Sequence, residues 1–342
     1  MKSIATIGSF DGVHRGHQCL LKQVRRIADE RGLRSMAVTF GCSPKRVLGM
    51  ADVPQLSTIE ERTTLLRQSG MDEVAVLDFT PQMAAMTARD FMQQVLREQL
   101  GVAVLIIGYD HRFGRGRTEG FDDYVHYGRE MGIEVLRGGA CMEGDRPISS
   151  SRIRQLLTEG HVAEANRLLG YPYSLQGQVV GGYREGRKMG FPTANIELSD
   201  TCKLLPADGV YAVYVYGQQA TDKVAIEREQ RLLAGSAEHS NFNKVNNPQP
   251  NLPDENKFQF PIFNSQFNYM GMLNIGYRPT LNNGRERSIE VHILDFDGNL
   301  YGKTLTVEFI YRLREERTFA NTEELTGQLQ QDEKRVRALL DR

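Results

Sequence analysis

The residues of this chain best placed to do chemistry together are two histidines separated by an arginine and a glycine, His14-Arg15-Gly16-His17. Two imidazoles at one turn can face a single ligand, and as donors they suit the charge that builds on a transferring phosphoryl group. A lone loop histidine is more often simply hydrogen-bonded where it stands, so the spaced pair is what points to a ligand. The string Gly8-Ser9-Phe10-Asp11-Gly12-Val13 leads into the pair from a strand-like run, Ile4 to Ile7. After it Leu20, Leu21, Val24 and Ile27 recur at helical spacing. A helix beginning near Gly16 aims free backbone N–H groups and the positive end of its dipole at the strand's carboxyl end, where a phosphate would lie. Glycines at 8, 12 and 16 let the backbone come close to such a ligand.

The turn is not the dinucleotide fingerprint, because G-x-G-x-x-G is absent and no acidic residue about 20 positions on is placed to hold a ribose. The H-x-G-H string resembles the signature of the nucleotidylyltransferase superfamily. The longer G-S-F-D-G-V-H-R-G-H is similar to that of the adenylyltransferase module of the bacterial bifunctional riboflavin kinase/FAD synthetase family. That resemblance implies catalytic roles for His14 and His17 and ATP contacts from Gly8, Phe10, Asp11 and Gly16.

The elements that must position this turn follow an alternating pattern. Strand-like runs at Ser35–Phe40, Glu73–Leu77, Val102–Gly108 and Ile133–Leu136 are separated by helix-like runs near Ile59–Gln68, Ala84–Gln99 and Asp122–Met131. Strands that recur after each helix predict an α/β doubly wound parallel sheet, with ligands at the strand carboxyl ends.

Three further stretches fall at such ends. Thr39-Phe40-Gly41-Cys42-Ser43-Pro44 stands where the family usually reads T-F-x-P-H-P, so a serine replaces the family histidine, supplying a hydroxyl but no positive charge. Read alone, Ser-Pro is a turn. Ile107-Gly108-Tyr109-Asp110-His111-Arg112-Phe113-Gly114 is similar to the family's V-G-x-D/N-F-R-F-G, which implies flavin contacts from Asp110 and Phe113; without that context it reads as a solvated loop. Ile148-Ser149-Ser150-Ser151-Arg152-Ile153-Arg154 opens a helix. Its serines cap backbone donors by default, and the likeness to I-S-S-S-x-I-R implies ATP contacts from Ser150 and Ser151 and a catalytic cation in Arg154.

A short helix over Gly160–Gly170 and then Tyr171-Pro172-Tyr173 mark a boundary near Pro172, which predicts two domains, 1–172 and 173–342; the resemblance makes the first the adenylyltransferase and implies that the second is the family's riboflavin kinase. From Ser174 the texture changes to short β-branched and aromatic runs with frequent glycine, as in a small antiparallel β-barrel. Expected strands are Leu175–Val180, Ala207–Tyr216, Met270–Ile275, Ile289–Leu294 and Leu305–Tyr311, followed by a C-terminal helix.

This half opens on a glycine-rich basic stretch, Gly181 to Asn195, able to wrap a polyphosphate with backbone amides and cationic side chains, although it is not a Walker loop. It resembles the riboflavin kinase signature G-R-x-L-G-F-P-T-A-N, with Met189 for leucine. The resemblance implies ATP contacts from Gly182, Gly186, Arg187, Lys188, Gly190, Thr193 and Asn195, with Thr193 and Asn195 also holding Mg²⁺. The strings Asn274-Ile275-Gly276-Tyr277-Arg278-Pro279-Thr280 and Glu290-Val291-His292-Ile293 repeat the family's N-I-G-x-R-P-T and E-x-H-I, making Glu290 the expected base. Strand alternation puts Glu290 and His292 on one face, opposite Ile289, Val291 and Ile293. Arg312 to Phe319 is a charged surface run by itself; likeness to the family's flavin-covering loop implies flavin contacts from Arg314 and Phe319.

One segment, about 217–268, departs from the family. Gln218–Gly235 reads as a charged helix, and Glu238–Asn268, rich in Asn, Gln, Pro and Phe, as a polar excursion.

Composition bounds the rest. At 342 residues two domains are expected, and 40% apolar with 25% charged residues describes an ordinary globular protein. A net charge of −1 gives no global drive toward nucleic acid or anionic membrane. No run approaches 18 apolar residues and no basic-then-apolar leader precedes the first strand, so a cytoplasmic protein is expected. Cys19, Cys42, Cys141 and Cys202 are scattered without C-x-x-C spacing, which signals neither zinc nor a disulfide framework and predicts reduced thiols. The resemblance covers almost the whole chain outside the insert. It implies riboflavin, FMN, FAD and ATP as ligands, Mg²⁺ as the ion accompanying ATP, and two activities: riboflavin kinase and FMN adenylyltransferase. Two rival readings stand beside it. One is a kinase whose N-terminal half binds nucleotide without turnover, and the other is an RNA-directed relative of class I synthetases. Oligomeric state is left open.

Overall fold

The computed structural model describes residues 2–41, 49, 53–109, 111–139, 141–144, 146–182, 185–218, 267–277 and 287–340. Contacts divide the chain into two units, Met1–Glu159 with Glu164–Gly170 and Cys202–Pro206, and Gly160–Ala163 with Tyr171–Thr201 and Ala207–Arg342.

In the first unit β1 (Ser3–Ile7), β2 (Arg34–Phe40), β3 (Glu73–Leu77), β4 (Val102–Ile107) and β5 (Glu134–Arg137) form a parallel sheet of order β3-β2-β1-β4-β5. Every residue of β1 is buried, as a central parallel strand covered on both faces requires. The strand order reverses between β1 and β4, and the crevice at their carboxyl ends is where such sheets bind ligands. Helix α1 (Arg15–Arg31) starts at that crevice and closes on Gly32 in the left-handed conformation (φ 63°). Helix α2 (Ile59–Gln68) starts with a full capping box, Thr58 against Glu61.

The apolar spacing predicts one helix over Ala84–Gln99, and here the structure differs. Helix α3 (Pro81–Ala85) stops at Met86, which is extended (ψ 138°). Thr87 then caps a new start, its Oγ1 accepting from the Asp90 N–H at 3.1 Å, and α4 (Ala88–Asp90) runs on as a π-helical stretch, Phe91–Gln99. Thr87 followed by an acidic residue at Asp90 is a helix-start signal that periodicity alone overlooks. The restart turns Phe91 into the core beside Phe113, ring centres 5.6 Å apart.

A second difference concerns the cysteines. The Cys19 and Cys141 side chains stand face to face, with Cα atoms 6.2 Å apart, a juxtaposition that the scattered cysteine spacing does not predict. They lie 122 positions apart and meet only because the first turn of α1 and the loop after β5 share the carboxyl edge of the sheet. Linear spacing carries no trace of that. Helix α5 (Phe121–Met131) precedes β5, and after β5 the chain continues through a small hairpin, β6 (Met142–Glu143) and β7 (Arg146–Pro147), into α6 (Ser150–Thr158) and α7 (Val162–Leu169).

The second unit is a closed antiparallel barrel, order β10-β11-β12-β9-β8-β13, built from β8 (Tyr173–Val180), β9 (Ala194–Leu198), β10 (Gly209–Gln218), β11 (Phe267–Tyr277), β12 (Arg287–Ile293) and β13 (Thr304–Arg314). Strand β9 is absent from the sequence expectation, which ran the glycine-rich stretch on through Asn195 as a loop. It is short, but among the described strands it is the one that bridges β12 and β8 and so closes the barrel. A single helical turn, α8 (Glu185–Lys188), lies in the same stretch. Along β10, Tyr211, Val213 and Val215 are buried in alternation with Val210 and Ala212, and the latter two pack with Val336 and Leu340 of the C-terminal helix α9 (Thr322–Leu340).

The expected helix and polar excursion of the insert lie, apart from their ends, outside the described residues. Its attachment points are nonetheless adjacent, because β10 and β11 pair without interruption to Gly217↔Phe267. Replacing 219–266 by a two-residue turn should therefore leave the barrel paired and move the melting temperature by only a few degrees, since closing a long loop costs only about 0.6 kcal/mol more per doubling of length. Thermal melting of the shortened chain checks this; a fall of more than about 10 °C would mean that the segment packs on the barrel.

Candidate active sites

The turn after β1 is built from conformations few residues adopt. Phe10 (φ 47°), Gly12 (φ 79°) and Val13 (φ 33°) all have positive φ, yet Phe10 and Val13 are buried. Such backbone persists only where surrounding contacts hold it, and it clusters at ligand sites. His14 is the N-cap of α1, its Nδ1 accepting from the His17 N–H at 3.3 Å. The two imidazoles stack with centres 3.7 Å apart, and Phe10 meets His17 edge-on at 5.2 Å. A side chain at Gly16 would press on the His14 ring and the Ile148 carbonyl at 3.0 Å, so the glycine is what lets the turn close. Gly8 similarly leaves room for the Phe10 ring.

Burial lowers the His14 pKa to about 4 against the opposing pull of Asp11. Burial, and then His14, push His17 well below its ordinary value as well. Both rings are thus neutral at pH 7, able to offer an N–H rather than a charge. A histidine whose folded pKa is depressed binds its proton more readily when unfolded, so its stabilisation is intact above about pH 6.5 and is lost as pH falls toward 4. The melting temperature of the chain should therefore drop across that window, by up to roughly 3 kcal/mol of stability for His14. Measured against His14→Asn, the wild type should show the steeper fall; equal slopes would contradict the assignment.

Arg154, on α6, reaches the same turn. Ser149 caps α6, accepting from Arg152 N–H at 3.3 Å, and the Ser150 hydroxyl donates to the Asp11 carbonyl at 3.0 Å, while Ser151 is exposed. The Arg154 guanidinium pairs with the Asp11 carboxylate and donates from Nε to the Pro54 carbonyl at 2.8 Å. Asp11 itself is buried and also accepts from the Leu56 N–H (3.0 Å), the Ser57 N–H (3.0 Å) and the Ser57 hydroxyl (3.2 Å). Its carboxylate is turned into the protein and holds Arg154. Sequence reasoning missed the 54–57 loop, which carries no motif.

Beside this turn an apolar cleft opens at the strand ends, lined by Ile7, Phe40, Phe79, Met83, Met86, Phe91, Phe113 and Gly114. Phe113 stacks on Tyr124 (4.3 Å), whose hydroxyl accepts from the Phe113 N–H at 3.1 Å. Only Phe113 was expected here; Phe40, Phe79, Phe91 and the methionines are indistinguishable in sequence from ordinary core. Asp110 and Ser43 lie outside the described residues.

In the barrel, β12 pairs Glu290 with Asn195 on one side and Asn274 on the other. The alternation expected for β12 is present, with Ile289, Val291 and Ile293 buried. The Thr193 hydroxyl donates to Glu290 Oε2 at 3.4 Å, and His292 Nδ1 lies 2.8 Å from the Pro192 carbonyl. Asn195 is buried against Gly182, where any side chain would overlap its amide, and a side chain at Gly186 would overlap the Phe191 carbonyl. Gly190 has φ 82° and Arg187 is exposed. Lys188 ends α8; its side chain and Arg278–Thr280 are outside the described residues. Arg314 differs from a free flavin contact: its Nε donates to buried Asp332 of α9 at 2.8 Å, and its guanidinium stands 5.8 Å from the Phe319 ring centre, with Arg317 at 4.6 Å. The sequence reading gave no site role to Glu316, which accepts from Asn274 Nδ2 at 3.0 Å and so spans from the flavin-loop stretch to β11.

Comparison with known proteins matches both halves. Residues 1–152 fit the FAD synthetase family and residues 169–340 the riboflavin kinase family. The bifunctional riboflavin kinase/FMN adenylyltransferase of Escherichia coli K12 is 33% identical over 331 residues, covering 96% of this chain and 90% of that protein. Its Listeria monocytogenes counterpart is 31% identical over 340 residues (99% and 92%). A crystal structure described as a macrolide-efflux protein from Streptococcus pneumoniae is 29% identical with a TM-score of 0.78, covering 98% of this chain and 94% of that one. Among the described residues no helix is long and apolar enough to cross a membrane. With both family halves matched in order and relatives alike over nearly the full length, this chain belongs to the bifunctional riboflavin kinase/FMN adenylyltransferase family.

Proposed function

We infer that this chain phosphorylates riboflavin to FMN and then adenylylates FMN to FAD, with the first chemistry in 173–342 and the second in 1–172. The observation that supports the reading is that the chain gathers two separate sets of groups suited to phosphoryl transfer, the His14/His17 turn with Arg154 and the Glu290/Thr193 pair beside a glycine-rich stretch.

In the kinase half Glu290 takes the proton of the ribityl 5′-hydroxyl, whose oxygen attacks the γ-phosphorus of ATP as ADP leaves. Gly182, Gly186, Arg187, Lys188 and Gly190 hold the polyphosphate, and Phe319, steadied by Arg314 and Arg317, covers the flavin. The Thr193 hydroxyl and the Asn195 side-chain oxygen are hard donors that fit Mg²⁺, an ion that takes few protein ligands and completes its shell with phosphate and water. When bound, Mg²⁺ neutralises phosphate charge.

In the adenylyltransferase half an FMN phosphate oxygen attacks the α-phosphorus of a second ATP and pyrophosphate leaves. His14 and His17 donate N–H bonds and Arg154 supplies the fixed charge to the transition state. Gly8, Phe10, Gly16, Ser150 and Ser151 border the nucleotide, with Asp11 serving it by holding Arg154. The isoalloxazine packs an apolar edge against Phe113 at the mouth of the apolar cleft, and the resemblance gives Asp110 a polar contact to it. Riboflavin, FMN, FAD and ATP are then the ligands, and a cytoplasmic place suits them.

Incubation with riboflavin, ATP and Mg²⁺ followed by chromatography tests this: FAD should accumulate by way of FMN. Ser43, in place of the family histidine, favours a second reading in which FMN is the end product. FMN plus ATP yielding no pyrophosphate would select it.

A further inference from the structure

We propose that Arg62 is a positioning residue for adenylyl transfer, setting where the Arg154 guanidinium stands by way of the 54–57 loop and Asp11; the proposal rests on the adenylyl-transfer reading above. Arg62 lies on α2, away from every motif, and is only 4% exposed. Its planar fork ties three chain segments together. Nη1 donates to the Phe40 carbonyl at the end of β2 (3.1 Å), Nη2 to Gln55 Oε1 (2.9 Å) and the Ser57 carbonyl (3.3 Å), and Nε to the Ser57 hydroxyl (3.4 Å). Nη2 also stands 3.7 Å from Asp11 Oδ1.

Two of the residues that Arg62 holds, Ser57 and Asp11, in turn hold the site. The Ser57 hydroxyl accepts from the Gly12 N–H at 2.9 Å, pinning the strained turn before His14. The Leu56 and Ser57 amides fix Asp11, and Pro54 and Asp11 together take the two ends of the Arg154 fork. The same cation also helps keep His17 neutral. A guanidinium can satisfy this spread of acceptors in one plane, and an ammonium cannot, so lysine is not a conservative replacement here. Since the cation never touches the reacting atoms, its loss should act through geometry. Displacement of a charged group by about 1 Å costs on the order of 100-fold in rate.

The test is a double-mutant cycle on the full chain with FMN, ATP and Mg²⁺, reading steady-state pyrophosphate release with substrates in excess and the enzyme concentration raised so that slow variants remain measurable. Arg62→Met should lower kcat about 100-fold and Arg62→Lys about 10-fold, with KM for FMN within about twofold of wild type. In an Arg154→Ala background Arg62→Met should cost at most about tenfold, because the cation it positions is gone and only its hold on the His14 turn through Ser57 is left to lose. Full multiplicativity, or a rise in KM with kcat unchanged, would overturn the proposal. Where Arg62→Met fails to fold, the Arg62→Lys cycle reads the same coupling. Wild-type protein that releases no pyrophosphate overturns the adenylyl-transfer reading itself; active wild type with a multiplicative cycle overturns this proposal alone.

Discussion

Glu290→Gln should lower riboflavin phosphorylation by about two to four orders of magnitude, the scale for losing a positioned general base, while leaving FMN adenylylation at its wild-type rate. The substitution preserves shape and the antiparallel register that sets Glu290 between Asn195 and Asn274. An amide oxygen still accepts from the Thr193 hydroxyl but cannot take up the proton of the attacking ribityl group. The His14/His17 turn belongs to the other compact unit, which is why the second activity should survive. Both rates can be read from one preparation, following ADP formed with riboflavin and pyrophosphate formed with FMN. A variant that makes FMN at near the wild-type rate would remove Glu290 from the role of base.

The mirror-image result is expected for His17→Ala: FAD formation should fall by about two to three orders of magnitude, the cost of deleting one preorganised donor to a developing anion, with riboflavin phosphorylation kept. Burial makes this ring a neutral donor, so the loss is of a directed N–H bond and not of a charge. The ring also stacks on His14 and meets Phe10, so alanine leaves a gap in the turn. His17→Asn separates the two effects, because it restores a side-chain N–H without the stacking surface. Asparagine recovering at least about tenfold over alanine would mark the donor as the larger share. A loss confined to KM for ATP would instead mean that His17 binds substrate and transition state equally.

The local motifs were readable because each combines residue types with a backbone demand. Gly16 must lack a side chain for His14 and Ile148 to approach, His14 must cap α1, and Gly182 must yield to Asn195, so these positions are constrained even in a single sequence. The alternation of β12 and the recurrence of strand and helix in the first half likewise follow from burial periodicities of 2 and 3.6 residues. What periodicity cannot carry is a break inside an apolar run, hence the missed restart at Thr87, or a strand as short as β9 that exists because a barrel must close. The tertiary structure alone decided which distant groups share a site. Cys19 meets Cys141, Phe40 and Phe91 join Phe113 around one cleft, and Asp332 claims Arg314. It also decided that Asp11 faces inward to hold Arg154, and that unmarked Arg62 lies behind both. A buried charge must be paired wherever the fold happens to bring a partner, and that partner leaves no signature in the order of residues along the chain.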